Sequence, residues 1–168
     1  KVPIIWGMIR PMIVLPVEEY SEIELRVIFT HELVHYWHHD VIWKRLDARL
    51  AVMRASAKKA LELPQNTVGN MISGLASAQA GYAKGDTICG HLVNRVMAMA
   101  LSGSEVNASM GRICAAPTAG SCGILPAVLF GLQEEYDLSE ETLRHGLMTA
   151  SGLGAIIVHN ATVSGAEG

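Results

Sequence analysis

Residues 105–129, EVNASMGRICAAPTAGSCGILPAVL, are the stretch that decides how this 168-residue chain is expected to fold. The stretch leads from an apolar helical pattern, through small and polar residues, into a second helix predicted to begin at Ile124. Thr118, Ser121 and the N–H groups of residues 119–123 lie just before that helix. The free N–H groups at the start of a helix bind anions such as carboxylates. The stretch therefore predicts a polar corner between helices that is suited to a small anionic ligand.

A second polar corner, HNATVSGAEG, occupies residues 159–168 and follows the very apolar run at residues 152–158. Small and polar residues at helix ends serve more often as caps or close-packing positions than as ligand sites. Two such corners in one helical chain favour a small polar ligand more than either corner does alone. Both interpretations stay open at this point.

The rest of the chain is predicted to be a series of helices separated by glycines, so the expected fold class is mainly α. Ser139 is expected to cap a helix whose first turn carries Glu140 and Glu141, as the helix dipole favours. Residues 103–121 are expected to form a loop, and strand-like alternation is confined to residues 4–14. The spacing of apolar residues predicts helices at residues 45–63, 87–101, 124–136 and 140–148.

Composition narrows the possible partners. Half of the residues are hydrophobic and 17% are charged, which indicates extensive burial or a partner surface that is absent. The net charge of −3 provides no basic field, so nucleic acid is not an expected partner. The cysteines are few and widely spaced, without a CxxC pair, and are expected to be small core residues: Cys89, Cys114 and Cys122.

Glycine and charge divide the chain into two segments. Only one of the 16 glycines lies in the first fifty residues, whereas thirteen of those fifty residues are charged, against sixteen of the remaining 118. The shift predicts two segments of different origin, residues 1–45 and 46–168, without a Pro-, Gly- or Ser-rich linker. Such a chain is expected to be a chimera, arising either as an artefact or by a real rearrangement.

The first segment carries the pattern HELVH at residues 31–35, on a helix that a capping box of Ser21 and Glu24 is predicted to start. His31 and His35 lie four residues apart and can bind one Zn²⁺, with Glu32 as general base on the metal-bound water. A metal-free surface helix, or weak zinc binding through two ligands, is the more common outcome of the bare pattern.

The surrounding residues, VPIIWGMIRPMIVLPVEEYSEIELRVIFTHELVHYWHHD, resemble the core of the membrane-embedded metallopeptidases that sense β-lactams. This resemblance implies zinc held by His31 and His35 and catalysis by Glu32. The sequence departs from that family because no helix with a third zinc-ligating Glu follows residue 46. No membrane span is expected either, since Arg10 and prolines interrupt the apolar residues 2–16.

The stretches NASMGRICAAPTAGSCGILP and NATVSGAEG resemble signature stretches of the iron–sulfur L-serine dehydratases, over residues 45–168. LAVMRASAKKAL, SGLASAQAGYAKGDTICG and VNRVMAMALSGSEVNASMG resemble the α region of the same family. The resemblance implies a cytoplasmic lyase of amino-acid degradation and gluconeogenesis that converts L-serine to pyruvate and ammonia. It also implies a [4Fe–4S] cluster acting as a Lewis acid. The residues that it places around the substrate are Asn107, Ser109, Thr118, Ala119, Gly120, Ser121, Asn160 and Ser164.

The family's cluster cysteines follow the SGAEG motif, and the three cysteines of this chain do not match their positions. The resemblance therefore implies a truncated segment that lacks the cluster and is inactive without a second domain or β subunit. Two alternatives stay open: a zinc metallopeptidase fragment acting through His31, Glu32 and His35, and a non-catalytic helical module that binds a small molecule or another subunit.

Overall fold

The computed structural model describes residues 4–6, 12–15, 17, 19–37 and 40–160, with the backbone alone described at 4–6, 12–14, 32–37, 40 and 41. These residues are mainly helical, which confirms the predicted fold class. The elements are β1 (Ile4–Trp6), β2 (Met12–Val14), α1 (Glu22–Trp37), α2 (Asp40–Glu62), a short 3-10 turn (Val68–Asn70), α3 (Leu75–Tyr82), α4 (Gly90–Ala108), α5 (Ile124–Tyr136) and α6 (Glu140–Asn160). They form two compact units, Lys1–Asp47 and Ala48–Gly168.

The first unit holds the two strands and α1. β1 pairs with β2 in antiparallel register, with Ile5 opposite Ile13. The predicted capping box is confirmed, because the backbone N–H of Ser21 donates to Glu24 Oε2 at 2.8 Å and the N–H of Glu24 donates to Ser21 Oγ at 3.3 Å. The Ser21 hydroxyl donates to Glu24 Oε2 at 2.7 Å and lowers the pKa of the Glu24 carboxyl, and the N–H of Ser21 lowers it further.

The second unit builds its core from buried residues of α2, α3, α4, α5 and α6. α2 begins five residues before the predicted start at residue 45 and presents Leu50, Met53, Ala57 and Ala60 to this core. The largest fully buried apolar side chains are Phe130 of α5, Met99 of α4 and Leu143 of α6. The core thus joins helices that are far apart in the sequence.

A buried serine connects α4 to α2. Ser102 Oγ accepts a hydrogen bond from the N–H of Ala60 at 2.9 Å and donates to the carbonyl of Ser56 at 2.7 Å. Residues 56 and 60 are four apart, so these two groups pair with each other in a regular α-helix. The hydroxyl of Ser102 therefore joins the backbone ladder of α2 and fixes the register between the two helices.

Glycines allow α4 and α5 to meet backbone to backbone. A Cβ atom added at Gly103 would lie 2.7 Å from Cα of Gly123, and one added at Gly123 would overlap the carbonyl oxygen of Ala100. One added at Gly131, two turns further along α5, would overlap the side chain of Val96. At Gly103 and Gly123 the obstructing atoms are backbone, so no other residue type fits there without displacing a helix.

This contact explains why one expected loop is helical. Residues 103–121 were expected to be a loop, but α4 continues to Ala108, so the expectation is wrong for its first six residues. Gly103 and Ser104 suggest a break when read locally, whereas in the fold Gly103 lies inside a close helix contact. The helix ends where Met110 adopts a positive φ of 59° and the N–H of Gly111 donates to the carbonyl of Val106.

Charged side chains link α2 to the helices beside it. Arg54 Nη2 donates to Glu140 Oε1 at 2.6 Å, and the Arg54 guanidinium lies 4.6 Å from the centre of the Phe130 ring. Lys58 and Arg95 both bond Glu134. Burial raises the pKa of Glu134, but the hydrogen bonds and charges of its two partners outweigh burial and lower the pKa overall.

α5 agrees with its predicted bounds and ends at Asp137, which adopts a left-handed conformation. The predicted cap of α6 is confirmed, since the N–H of Thr142 donates to Ser139 Oγ at 3.1 Å. The expected end of α6 at residue 148 is wrong, because the helix continues through Gly152 and Gly154 to Asn160. A single glycine costs a helix about 1 kcal/mol and does not by itself stop it.

Candidate functional site

The corner between α4 and α5 is tied back to α4 by an amide. Asn107, in the last turn of α4, donates from Nδ2 to the carbonyl of Ala119 at 3.1 Å. The peptide bond between Ala116 and Pro117 in this corner is cis. The Asn107 side chain therefore fixes the position of Ala119 relative to the last turn of α4.

Two hydroxyls organise the corner from within. Thr118 Oγ1 and Ser121 Oγ lie 3.0 Å apart, and each accepts a hydrogen bond from the other residue's backbone N–H at 3.3 Å. Ser121 Oγ also lies 3.1 Å from the carbonyl of Ala116. Both side chains are half-buried, so this reciprocal pair closes a tight turn just before α5 begins.

The turn contains two neighbouring exposed residues, Ala119 and Gly120. Their N–H groups donate no hydrogen bond to any residue that the structure describes. The N–H of Ile124, the first residue of α5, donates to the carbonyl of Ser121 at 3.2 Å. α5 begins four residues after Gly120, so the positive end of its dipole follows this pair of residues in the chain. Adjacent N–H groups without a partner, just before a helix, can donate hydrogen bonds to a small anion.

The predicted site residues fall into three groups in the structure. Asn107, Thr118, Ala119, Gly120 and Ser121 are brought together at the corner. Ser109 donates to the carbonyl of Val106 at 2.9 Å and Asn160 donates to the carbonyl of Ile156 at 2.8 Å, so the hydrogen bonds of these two side chains lie within or beside their own helices and not at the corner. Ser164 lies outside the described residues.

The sequence reasoning missed the role of Glu105. Its side chain is fully buried, and its two carboxylate oxygens accept hydrogen bonds from the N–H of Ala76 at 2.8 Å and of Gln65 at 3.3 Å. Ala76 lies in the first turn of α3, so the carboxylate caps that helix from α4. The available signal was the one acidic residue within the apolar, small-residue pattern of α4.

The cysteines and histidines do not assemble a metal centre in the described part of the chain, where no three His, Cys, Asp or Glu residues lie together. Cys89 is exposed, Cys114 is half-buried and Cys122 is buried beside the carbonyl of Gly103. Burial raises the pKa of the Cys122 thiol, which keeps it protonated. Only Cys122 is therefore the buried core cysteine that was expected of all three.

The HELVH pattern lies on α1, so its predicted helical placement is confirmed. His31 is exposed. The side chains of Glu32 and His35 lie outside the described atoms, so their proposed zinc geometry stays a prediction. Of the described helices, none is both long and apolar enough to cross a membrane.

Comparison with known proteins identifies the family. The serine dehydratase alpha chain family matches residues 14–168. The L-serine dehydratase alpha chain of Peptoniphilus asaccharolyticus is 48% identical over 128 residues, which is 76% of this chain and 44% of the relative. A probable L-serine dehydratase alpha chain of Bacillus subtilis is 36% identical over 127 residues, covering 76% of this chain and 42% of the relative. L-serine dehydratase 2 of Escherichia coli is 39% identical over 77 residues, 45% of this chain and 17% of that protein.

The chain is thus mainly helical, contains a polar corner before α5 and is similar to proteins named L-serine dehydratase. The chain belongs to the serine dehydratase alpha chain family. It spans less than half the length of the relatives named above. No solved structure matches it.

The comparisons bear on the first segment as well. The family match begins at residue 14 and takes in α1 with its HELVH pattern. Neither this match nor the relatives named above support the metallopeptidase resemblance of residues 1–45.

Proposed function

We propose that this chain is the substrate-framing part of an iron–sulfur L-serine dehydratase, a cytoplasmic lyase that converts L-serine to pyruvate and ammonia. The observation that carries the proposal is the pair of adjacent amides at the exposed residues Ala119 and Gly120, held by the hydroxyl pair of Thr118 and Ser121. Family membership and the names of the relatives support the choice of L-serine as the substrate.

The amides of Ala119 and Gly120 bind the substrate carboxylate in this proposal. A carboxylate accepts hydrogen bonds from two adjacent N–H groups, and the start of α5 adds a favourable dipole. The site needs no arginine for this purpose, because backbone amides supply the donors. Residue 119 has only a methyl side chain and residue 120 has none, so the ligand has room to approach the backbone.

The side chains around the amides act as positioning groups. The hydroxyls of Thr118 and Ser121 each accept a hydrogen bond from the other residue's N–H, so they stabilise the turn. Asn107 anchors the carbonyl of Ala119 and thereby orients the peptide unit whose N–H belongs to Gly120. In the same proposal Ser109, Asn160 and Ser164 fix the amino or hydroxyl group of serine, as the family resemblance implies.

The [4Fe–4S] cluster belongs to the proposal at the level of the family. The described residues do not fit it, because Cys89, Cys114 and Cys122 differ in exposure and no three metal-binding side chains lie together among them. We therefore derive no step of the reaction through a cluster held by these residues. The proposed assembly obtains its cluster ligands from another part of the dehydratase, either a second domain or a β subunit.

Turnover in a hybrid enzyme tests this proposal. Residues 48–168 of this chain replace the aligned region of the Peptoniphilus asaccharolyticus alpha chain, and pyruvate formation from L-serine is measured. Removing either hydroxyl of the pair, in Thr118→Val or Ser121→Ala, should lower kcat/KM at least about tenfold, equivalent to about 1.4 kcal/mol.

Ser104→Ala is the matched control for this experiment. The Ser104 hydroxyl is half-buried and bonds the carbonyl of Ala100 within α4, and it takes no part in the hydrogen bonds between Thr118 and Ser121. Its removal should leave kcat/KM within about twofold, since surface-type losses are small. Unchanged turnover in both Thr118→Val and Ser121→Ala would reject the assigned roles.

A zinc site on α1 is the second candidate function, favoured by the helical backbone that places residues 31 and 35 one turn apart. Metal analysis of the purified chain tests it directly. Zinc bound at one equivalent and lost in His31→Ala would support the site. A metal-free protein after purification in zinc-containing buffer would reject it.

A further inference from the structure

The second half of α6 is an apolar helix without a covering element among the described residues. Leu143 and Leu147 in its first half are buried in the core. Beyond Leu147 the side chains of Leu153 and Ile156 are 58% and 60% exposed. No Asp, Glu, Lys or Arg occurs between Arg144 and the end of the helix.

These apolar side chains surround the helix instead of forming one stripe. At about 100° per residue, Ile156, Ile157 and Val158 lie about 300°, 40° and 140° around the axis from Leu153. Met148 lies at about 220° on the same scale. All five are more than one-third exposed. A soluble helix that is apolar on every side is normally buried on every side.

The distribution around the helix restricts what can cover it. No described helix has the length and apolarity to cross a bilayer. A helix that lies in a bilayer surface keeps a polar face in water, which this segment lacks. A second copy related by two-fold symmetry covers one side of each helix and leaves the opposite side in water. The remaining occupant is a set of several apolar elements that packs around α6 as part of one core.

Two glycines on this segment indicate how closely the occupant approaches. A Cβ atom added at Gly152 or Gly154 would meet no atom within 4 Å. Glycine inside a helix costs stability and is retained where another backbone comes close, as at the contact of Gly103 with Gly123. The open spaces at residues 152 and 154 therefore match the approach of a neighbouring helix.

We propose that residues 148–160 of α6 are a central helix, enclosed by helices from the part of the serine dehydratase alpha chain that this chain does not span. The relatives from Peptoniphilus asaccharolyticus and Bacillus subtilis supply enough chain for this purpose, since this chain matches 44% and 42% of their lengths. The enclosing part is either joined to this chain or present as a separate polypeptide. The proposal rests on family membership and not on the proposed serine site.

Assembly in trans tests the proposal. The full chain is co-expressed with the segment of the Peptoniphilus asaccharolyticus alpha chain that follows its counterpart of residues 161–168. The 48% identity over the matched region makes the two surfaces comparable. The two polypeptides should co-elute at equal stoichiometry, and amide hydrogen exchange at residues 148–160 should slow at least about tenfold relative to the chain alone.

Charged substitutions on and away from α6 provide the contrast. Ile156→Asp should abolish co-elution, and Leu153→Asp should do the same independently. Ile88→Asp is the matched control, because Ile88 is 100% exposed on the loop before α4 and should leave co-elution unchanged. Circular dichroism of the uncomplexed variants verifies that α6 remains helical, as expected for changes at exposed positions.

Several outcomes would overturn the proposal. They are the absence of a complex, a complex that Ile156→Asp and Leu153→Asp leave intact, protection of residues 148–160 in a homodimer of this chain alone, and protection by phosphatidylcholine vesicles without the added segment. L-serine is absent from all these measurements. A failure here is thus distinguishable from a failure of the serine site, which is measured by turnover and binding at the corner before α5.

Discussion

The α4–α5 crossing and the second half of α6 are both rich in glycine, yet they differ in what lies beside the glycines. At the crossing, Gly103, Gly123 and Gly131 have no room for a Cβ atom. On α6, Gly152 and Gly154 have open space around them. The same residue type therefore lies in a close helix contact in one region and beside open space in the other.

The difference teaches that composition alone does not report packing. A stretch of small and apolar residues predicts that helices approach closely, but the partner must be present for the contact to form. At the crossing, the two contacting residues, Gly103 and Gly123, are about twenty residues apart in the sequence and belong to the same unit. For α6 we place the partner in the part of the family's alpha chain that this chain does not span.

The largest expected effect comes from a substitution that breaks the contact between α4 and α5. In Gly123→Ala the new Cβ overlaps the carbonyl oxygen of Ala100, which is backbone and cannot rotate away. We expect a loss of about 3 kcal/mol in the free energy of unfolding, measured with urea. Gly120→Ala is the control, since its nearest contact is an ordinary 3.8 Å to Thr118 Oγ1. Equal stability of the two variants would show that α4 and α5 do not meet as described.

A buried carboxylate provides the next test of the packed region. Glu105→Gln keeps the shape of the side chain but replaces one acceptor oxygen with an amide group that donates. One of the two N–H groups, at Gln65 or Ala76, then loses its partner in the interior. We expect the variant to lose about 2 kcal/mol of stability. The exposed Glu141→Gln, in the first turn of α6, should change stability little; a Glu105→Gln variant that matches it would reject the capping role.

The open region should respond in the opposite direction. Gly152→Ala adds a Cβ that meets no atom within 4 Å and replaces glycine inside a helix. We expect the isolated chain to gain about 0.5–1 kcal/mol in the free energy of unfolding. In the proposed complex with the rest of the alpha chain, the same change should weaken association. Destabilisation of the isolated chain would show that residue 152 is already covered.

The smallest expected effect is on the pH dependence of stability and arises at the start of α6. A hydrogen bond from Gln133 lowers the pKa of Glu140 and burial raises it, but the hydrogen bond and charge of Arg54 add to the effect of Gln133, so the pKa is lowered overall. Because the folded-state pKa lies below the usual value of 4.5, Glu140 stabilises the fold above that pH. This contribution is lost as the pH falls through the lowered pKa. Glu140→Gln should therefore flatten the acid side of the stability curve, measured by urea unfolding between pH 3 and 7, whereas an unchanged curve would contradict the assigned pairing.

The sequence predicted those parts of the fold that depend on neighbouring residues. The capping box of Ser21 and Glu24, the cap at Ser139 and the bounds of α5 all rest on signals within a few residues, and the structure contains each of them. The helical end of α4 was missed because its cause, the contact between Gly103 and Gly123, joins residues far apart in the sequence.

The candidate site shows the same division. The polar corner before α5 was predicted because its small and polar residues are neighbours in the sequence, whereas the pairing of the Thr118 and Ser121 hydroxyls was not predicted. Glu105 was missed because its partners, Gln65 and Ala76, lie 40 and 29 residues away. Local chemistry was therefore readable, whereas long-range hydrogen bonds required the fold.

Amide chemical shifts during a titration with L-serine test the central claim most directly. Uniformly ¹⁵N-labelled chain is titrated with L-serine and, in parallel, with L-serinamide, which lacks the carboxylate. We expect the N–H signals of Ala119 and Gly120 to move and saturate with L-serine and to remain in place with L-serinamide. Signals that stay fixed with both compounds, or move equally with both, would contradict a carboxylate site at this corner.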